Sequence, residues 1–369
     1  MGRGVTLDIA VTGDLVLDEP DAEHWLSGIA PALQAADLAI GHLEVPHTSC
    51  REQMTGDIPA PGAPPENIGA IARAGFGMVS LAGNHIADCG PIGIADTIDA
   101  LEQSGIAHTG AGPDLAYART PAVVEVDGCR IALLSYNCVG PEEAWARADR
   151  AGCAYLPLGT SDGSPVSPRA DIDRLLPEAE EILRHDIGKA DADTVIVALH
   201  KGIVHTPVRL APYERPLARA AIECGADAVI AHHSHIARGI EFIDGRPVFH
   251  GLGNGCVVTR ALAPEQDNPA RREWARRRRE MFGFEPDPAY HLAPFHPEAV
   301  NAFIGRLSIA ADGSLTAGIV PVFVEPPGRP VLAGPERIGD ITGYLEAITE
   351  QAGLAPILIA SDGTVSPAP

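Results

Sequence analysis

Three histidines fall within four positions of the stretch AHHSHIARG, residues 231–239. The stretch follows the apolar run ADAVI, which ends at Ile230. A hydrogen-bonded packing role does not easily explain this spacing, although a core of hydrogen-bonded histidines is the alternative. His233 and His235 are two positions apart, so in an extended segment both side chains project to one face while His232 points away. The pattern favours a metal site.

Other residues of metal-ligand type stand where apolar, strand-like runs end. The runs are VTLDIAVTGD, ADLAIGHLE, FGMVSLAGNH and DTVIVALH, and they end at Asp14, at Glu44, at Asn84 with His85, and at His200. In open α/β sheets ligands bind at the carboxyl ends of strands. Carboxylate, carboxamide and imidazole groups without thiolate suit Mn²⁺, Fe²⁺, Zn²⁺ or Co²⁺. Together with the histidine block, these ends predict one shared site for divalent metal.

The elements that must position these residues alternate between strands and helices. Alternating runs predict βαβ units, and hairpins at Asp127-Gly128, Asp244-Gly245 and Asp312-Gly313 add antiparallel strands. The fold class is therefore α/β, with two mixed sheets and helices outside. We predict a single domain over residues 1–369 with a variable insertion at about 264–297, where an arginine-rich helix precedes a proline-rich loop. Residues 361–369 are expected to be frayed.

Charge and composition exclude several classes of partner. Asp and Glu number 49 against 27 Lys and Arg, a formal net charge of −22. This balance argues against nucleic acid and anionic membranes, and it favours a solvated helix face for the arginine run. The seven scattered cysteines include no C-x-x-C pair and indicate free thiols in a reducing compartment. Without a signal core or a long apolar stretch, we expect a cytoplasmic protein that is not inserted in a membrane.

Successive motifs resemble those of the CapA family, which is associated with poly-γ-glutamate capsule biosynthesis. The motifs are TGD, HLEVPHT, LAGNHIADCGPIGIADT, GIAHTGAG, LHKG and GADAVIAHHSHIARGIEFIDGRPVFHGLGN. That family is similar to the calcineurin-like metallophosphatases. The resemblance covers roughly residues 5–260. It implies a four-layer α/β/β/α metallophosphatase-like sandwich and a centre of two divalent metal ions.

The resemblance also implies a role for each matching residue. The ligands implied for one ion are Asn84, His200 and His233. Those implied for the other are Asp14 and His235, with Glu44 bridging both ions in place of the superfamily's more usual aspartate. His85 would be the catalytic acid that meets the leaving group or the developing charge.

The chain departs from the family pattern at three places. Metallophosphatases begin D-x-H, whereas here Asp14 is followed by Leu15 and Val16, so one imidazole ligand is absent. His42 lies on the same strand face as Glu44 and is a candidate extra ligand; a packing role is the alternative. The family's frequent HWGxE is here HKGIV. The lysine of this stretch, Lys201, is a candidate to bind an anionic substrate. The other candidates are His205, Arg209 and Arg238. For each of the four, a surface or capping role is the alternative.

Such a site suggests a metal-dependent hydrolase or transferase. Two divalent ions activate water and offset the charge of a transition state, which suits a phosphoester and an amide or γ-glutamyl bond equally. We expect a small anionic or peptide-like substrate. The alternative is a non-catalytic accessory or binding component of poly-γ-glutamate-type polymer synthesis, because one metal ligand is missing.

Overall fold

The computed structural model describes residues 6–54, 56–58, 60–262 and 268–369. Within these residues the helices follow one another along the chain as α1 (Ala22–Leu26), α2 (Ala30–Ala35), α3 (Asn67–Ala74), α4 (Gly90–Gln103), α5 (Leu115–Ala118), α6 (Pro177–Lys189), α7 (Glu214–Glu223), α8 (Pro269–Phe282) and α9 (Pro335–Gln351). Short 3₁₀ helices cover Glu142–Ala144, Pro288–Tyr290 and Pro297–Val300.

The strands account for most of the buried backbone. In chain order they are β1 (Leu7–Leu17), β2 (Leu38–Leu43), β3 (Phe76–Ser80), β4 (Ala107–Thr109), β5 (Ala111–Gly112), β6 (Ala122–Val126), β7 (Cys129–Asn137), β8 (Gly152–Cys153), β9 (Leu158–Thr160), β10 (Ile172–Leu175), β11 (Thr194–His200), β12 (Ala228–His232), β13 (Ile240–Ile243), β14 (Arg246–Phe249), β15 (Asn254–Val258), β16 (Asn301–Ile309), β17 (Leu315–Glu325), β18 (Arg329–Leu332), β19 (Ile357–Ile359) and β20 (Thr364–Pro367). Every residue of β2 and of β11 is buried, as expected for parallel strands that are covered on both faces.

Two large mixed sheets carry the fold. The first has the order β19-β20-β17-β16-β1-β2-β3-β4, with β15 also paired to β1 and β18 to β17. Strands β1 to β4 run parallel to their neighbours in this series, while β16 is antiparallel to β1. The second sheet has the order β13-β14-β12-β11-β7-β6, with parallel strands in its centre and an antiparallel strand at each edge.

The layers are held together by three apolar cores. One core lies between the sheets, where Ile9 and Ile40 of the first meet Leu133, Ile196 and Ile230 of the second. A second core packs α1 to α4 on the outer face of the first sheet, and a third packs α6 and α7 on the outer face of the second. Each fully buried Leu or Ile contributes about 1.5–3 kcal/mol to this packing. The predicted four-layer α/β/β/α sandwich is confirmed.

The predicted hairpins form where aspartate precedes glycine. Asp127-Gly128 joins β6 to β7 with φ of 49° and 75°, and Asp244-Gly245 joins β13 to β14 with φ of 49° and 77°. Two successive positive φ angles match the twist of the flanking strands, which is why Asp-Gly occurs here. The third hairpin, β16 to β17, turns at Asp312-Gly313 as predicted.

Several element ends differ from the sequence predictions. β1 continues past Asp14 to Leu17, because its second half pairs with β15. β3 ends at Ser80, so Asn84 and His85 lie in the loop that follows it. The chain terminus is not frayed: β20 pairs with β19 and β17, and Val365 is buried.

The segment predicted as an insertion lies between β15 and β16. Its residues 264–267 are outside the described residues, and the basic helix is α8. Arginines of α8 pair with glutamates of the same helix, such as Arg276 with Glu273 at 2.7 Å and Arg277 with Glu280 at 3.2 Å. The helices of the described ranges include none whose length and apolar character would let it cross a membrane.

Candidate metal centre

Asp14 lies where β1 changes its neighbour. The strand pairs with β16 up to Val11 and with β15 from Asp14 onward, so its pairing is irregular at this point. The Asp14 amide donates to the Gly253 carbonyl at 3.0 Å. A Cβ on Gly13 would lie 1.9 Å from that same carbonyl oxygen, so only glycine fits before the aspartate. The TGD and GLGN stretches thus fix the buried Asp14 against the loop after β14.

A first group of possible ligands comes from three separate parts of the chain. His200, the last residue of β11, places Nε2 2.7 Å from Asn84 Oδ1 and 3.1 Å from His233 Nδ1. Asn84 donates through Nδ2 to Asp57 at 3.0 Å, which leaves its Oδ1 facing His200. Ligands bound at about 2.1 Å in a tetrahedral site lie about 3.4 Å apart. The two contacts of His200 Nε2 are shorter than this spacing, and they bring the three side chains close enough together to share one ion.

A second group contains two carboxylates and one imidazole. Donor atoms of Asp14, Glu44 and His235 lie within 4.8 Å of one another. His235 Nε2 is 3.3 Å from Glu44 Oε1, and its Nδ1 is 3.5 Å from Asp14 Oδ2. Asn254 Oδ1, 3.0 Å from the same Nδ1, orients the ring. The structure thus brings together the residues predicted for the other ion.

His42 lies next to both groups. Donor atoms of Asp14, His42 and His200 also lie within 4.8 Å of one another, so Asp14 is the carboxylate that these sets share. His42 Nδ1 is 2.9 Å from Ser80 Oγ, whereas its Nε2 has no hydrogen-bond partner in the described part of the chain. The bridging role of Glu44 and the ligand role of His42 stay predictions.

The histidine block reaches the centre by a different backbone path from the one predicted. β12 ends at His232, and the following His233 and His235 have left-handed φ of 86° and 51°. The prediction that strand alternation directs both side chains to one face is therefore wrong, because the segment is a loop. His232 instead stacks on His42, with ring centroids 4.6 Å apart. Left-handed non-glycine residues are uncommon and concentrate at functional sites.

The donor set fits a divalent cation. Oε2 of Glu44, Nε2 of His42 and Nδ1 of His200 are buried without a hydrogen-bond partner among the described residues, while Oε1 of Glu44 forms the ion pair with His235. Leaving such a group unpaired costs about 1–3 kcal/mol. A cation bound here would satisfy Glu44 and His42, and carboxylate, amide and imidazole donors suit Mn²⁺, Fe²⁺, Zn²⁺ or Co²⁺.

Burial and charge divide the imidazoles into two kinds. Burial lowers the pKa of His200 well below its ordinary value and that of His233 to about 3, which keeps both in the neutral form that binds metal. His235 differs: burial would lower its pKa, but Glu44 and then Asp14 raise it to about 9. For Glu44 the two effects are reversed: burial on its own would raise its pKa, but His235 lowers it to about 2. A positive charge between the two carboxylates is therefore favoured.

His85 forms a pair with a carboxylate that the sequence prediction missed. Its Nδ1 donates to Asp88 Oδ2 at 2.7 Å, and Asp88 is fully buried. The Ala60 amide also donates to this oxygen, at 2.5 Å. Burial alone would lower the pKa of His85, but Asp88 raises it to about 10. The ring is thus a cation at neutral pH, with its Nε2 left for a ligand.

A cavity of about 690 Å³ opens beside the centre. Its lining includes Glu44, Asn84, His85, His233 and His235. Two of the predicted substrate-binding residues, His205 and Arg209, also line it. His205 is buried, and Arg209 is exposed and forms no ion pair among the described residues. His85 and four of the candidate ligands thus face one partly open cavity, whereas Asp14 and His200 lie behind its lining.

The other two predicted substrate contacts are corrected. Lys201 and Arg238 are fully buried, and both bond to Glu214, at 2.7 Å and 2.9 Å. Arg238 also donates to the Arg209 carbonyl. Both cations share the one carboxylate of Glu214 inside the protein, so they form an internal ion network and do not line the cavity.

The sequence prediction missed three residues that orient the site. The position of Asp88 was indicated by the sequence, because this carboxylate follows His85 by three positions in NHIAD. Asn254 ends the GLGN stretch, but nothing in the sequence pairs it with His235. Asp57 lies in an irregular segment between β2 and α3, where no periodicity marks it.

A family model described as bacterial capsule synthesis protein PGA_cap matches residues 8–257. The chain belongs to this family. The region matched by the PGA_cap model includes every candidate ligand from Asp14 to His235 and ends before α8. The predicted membership of the CapA family is confirmed.

Curated relatives agree with the PGA_cap assignment. The capsule biosynthesis protein CapA of Bacillus anthracis is 27% identical over 229 residues, which are 61% of this chain and 52% of that protein. A probable polyglutamine synthesis accessory protein of Mycobacterium tuberculosis H37Rv is 32% identical over 194 residues, 52% of this chain and 47% of that one. The chain spans about half the length of these relatives.

Solved structures superpose on this chain with low scores and low identity. A hypothetical protein from Thermus thermophilus superposes with a TM-score of 0.48 at 15% identity, covering 87% of this chain and 100% of that one. The calcineurin-like phosphoesterase YfkN from Bacillus subtilis gives a TM-score of 0.40 at 12% identity, covering 95% and 99%. Similarity at this level carries no information on activity.

Proposed function

We propose that this PGA_cap family member is a metal-dependent hydrolase or transferase that acts on a phosphoester or an amide or γ-glutamyl bond. The observation that supports this most is the buried convergence of two ligand groups from distant parts of the chain. They meet beside a cavity that could admit a substrate. The relatives' names add capsule and polyglutamine synthesis as the context in which such an activity would serve.

Two divalent ions would be held by the two groups. Asn84, His200 and His233 would hold one, and Asp14 with His235 the other, with Glu44 between them. When bound, such ions supply Lewis acidity, which activates water and offsets negative charge in the transition state. The carboxylates of Asp14 and Glu44 would supply negative charge that offsets the repulsion between two bound cations.

His85 would act as the proton donor. Asp88 holds its Nδ1, which leaves Nε2–H free to donate to the leaving group. Because Asp88 raises the pKa of His85 to about 10, the proton is present at neutral pH. Arg209 at the cavity wall would attract an anionic or peptide-like substrate, against a net charge of −22 for the whole chain.

The test is turnover by Mn²⁺-loaded protein of p-nitrophenyl phosphate and of γ-glutamyl-p-nitroanilide. We expect one of the two to be hydrolysed, and His85→Asn to lower kcat by about 10²–10⁴-fold while Mn²⁺ binding is retained. The exposed His291 provides a matched control as His291→Asn. The proposal fails if wild-type protein hydrolyses neither substrate, or if His85→Asn turns over as fast as His291→Asn.

One observation favours an accessory role as the second candidate. Val16 stands where the D-x-H imidazole would be and lines the cavity, so one ligand position is apolar. The Mycobacterium tuberculosis relative is also named as an accessory protein. This role predicts that a γ-glutamyl oligomer binds equally with Mn²⁺ and with chelator, and that no turnover occurs.

A further inference from the structure

The cavity has an aromatic wall that comes from outside the residues matched by the family model. Trp274 and Phe282 of α8, with Phe295 beyond it, line the cavity. We call these three residues the aromatic wall. It adjoins the metal centre directly: the Phe295 ring stacks on His235 with centroids 5.0 Å apart and an interplanar angle of 25°.

Ring contacts continue along the wall. Phe282 meets His205 edge to face, with centroids 4.7 Å apart, and Trp274 meets Phe282 at 5.9 Å. Arg278 anchors the helix, because its guanidinium lies 5.1 Å from the Trp274 ring and donates to the carbonyls of Leu262 and Pro294. The rings are therefore held in place around the cavity.

Core packing does not account for the apolar side chains of α8. Helix α8 is otherwise rich in arginine, and its large apolar residues Trp274, Met281 and Phe282 all line the cavity. None of these three belongs to the apolar cores of the described residues. Trp274 and Phe282 are half-buried and Met281 is 38% exposed, so the helix presents apolar surface to the cavity. Concave apolar surface beside a few polar groups is typical of a ligand site.

We propose that the aromatic wall selects ligands that carry a planar aromatic group beside the anionic group held at the metal centre. The anionic half of this inference rests on the proposed function. Aromatic rings attract one another in edge-to-face and offset-stacked geometry. Trp274 and Phe282 already meet edge to face, and Phe295 stacks on His235. A cavity of about 690 Å³ also has room for a ring beyond a phosphate-sized group.

The test compares phenylphosphonate with methylphosphonate, two anions that differ only in the aromatic group and are not hydrolysed. Calorimetric titration of Mn²⁺-loaded protein should show phenylphosphonate binding about three- to tenfold more tightly. Trp274→Ala and Phe282→Leu should each remove most of this preference, and Trp274→Phe should retain it. Arg276→Ala, which changes an exposed residue on the same helix, should leave both affinities unchanged.

The outcomes separate this inference from the proposed function. Equal affinity for the two phosphonates in wild-type protein overturns the inference. So does an equal loss of both affinities in Trp274→Ala and Phe282→Leu. Unchanged circular dichroism shows that these variants are folded. A preference for phenylphosphonate without hydrolysis of any substrate keeps the inference and removes the proposed activity. If neither phosphonate binds at millimolar concentration, the inference falls, whereas the proposed function stands or falls with hydrolysis of the two p-nitro substrates.

Discussion

Two buried polar clusters lie side by side in this protein and differ in whether their carboxylate has hydrogen-bond partners within the fold. The metal centre contains His200, and the ion network of Lys201, Glu214 and Arg238 begins at the next residue. In the network Glu214 accepts from both cations and from the Ala211 amide. In the centre Glu44 Oε1 has only an ion pair with His235 Nε2 at 3.3 Å among the described residues, and Glu44 Oε2 has no hydrogen-bond partner there.

The difference shows which cluster needs a ligand. Both are as deeply buried as the cores, so burial and polarity alone do not separate a site from a structural ion pair. Buried polar groups are normally satisfied, and one that is not requires a partner. The network has its partners in the fold, whereas the centre keeps buried acceptor atoms that a cation would satisfy.

Breaking the network should give the largest loss of stability. Glu214→Gln leaves Lys201 and Arg238 buried without their carboxylate, and we expect a loss of roughly 3–5 kcal/mol in the free energy of unfolding. Urea denaturation measures this. Glu223→Gln removes an exposed pair with Arg219 and should change stability by about 0–0.5 kcal/mol. Similar losses in the two variants would show that the network is not structural.

The same carboxylate should make the protein sensitive to acid. Burial would raise the pKa of Glu214, but Lys201 and Arg238 hold it at about 2, below the ordinary 4.5. The folded state therefore binds this proton less readily than the unfolded state, so its stabilisation is present above pH 4.5 and is lost as the pH falls toward 2. Denaturation across this range should show a weaker pH dependence in Glu214→Gln than in wild-type protein. An identical slope contradicts the assignment.

Substituting a candidate ligand of the centre should weaken metal binding and leave the stability of the metal-free protein nearly unchanged. We expect Mn²⁺ at 100 times its Kd to stabilise wild-type protein by about 2.7 kcal/mol. Asp14→Asn should weaken Mn²⁺ binding by more than about 100-fold, because even residues that only orient ligands are worth about 10–100-fold. Without metal its stability should stay within about 1 kcal/mol of wild type, since the change is isosteric. Asp99→Asn, at an exposed position of α4, is the control, and equal Mn²⁺ stabilisation of both variants would count against the centre.

A smaller change in Mn²⁺ affinity should show whether His42 belongs to the ligand set. If the unpaired Nε2 of His42 is a ligand atom, His42→Asn weakens Mn²⁺ binding by about tenfold, measured by titration. Ser80→Ala, which removes only the partner of Nδ1, should have a lesser effect in the same direction. Unchanged Mn²⁺ affinity in His42→Asn would place His42 outside the ligand set.

Much of the fold was predictable because its signals are local. Apolar runs such as that of β11 predict buried strands, and Asp-Gly pairs predict the hairpins that form. Strand ends set by pairing between distant residues were not predictable. β1 continues past Asp14 because its second half pairs with β15, which lies more than 230 residues later in the chain. β20 forms through its pairing with β17 and β19.

The candidate site was predictable in its residue types but not in its surroundings. The predicted polar residues do converge, although Asp14 lies within β1 and Asn84 and His85 lie in the loop after β3. The substrate role of Lys201 and Arg238 was wrong because their partner Glu214 belongs to α7, and sequence does not show that it reaches them. The loop conformation of His233 and His235 depends on left-handed φ angles for which no glycine gives a signal.

Anomalous X-ray scattering from crystals of Mn²⁺-loaded protein tests the central claim most directly. We expect two peaks about 3.5–4 Å apart, one bounded by Asn84, His200 and His233 and the other by Asp14, Glu44 and His235. Absence of any manganese peak among these side chains, in crystals soaked well above the measured Kd, would contradict the account.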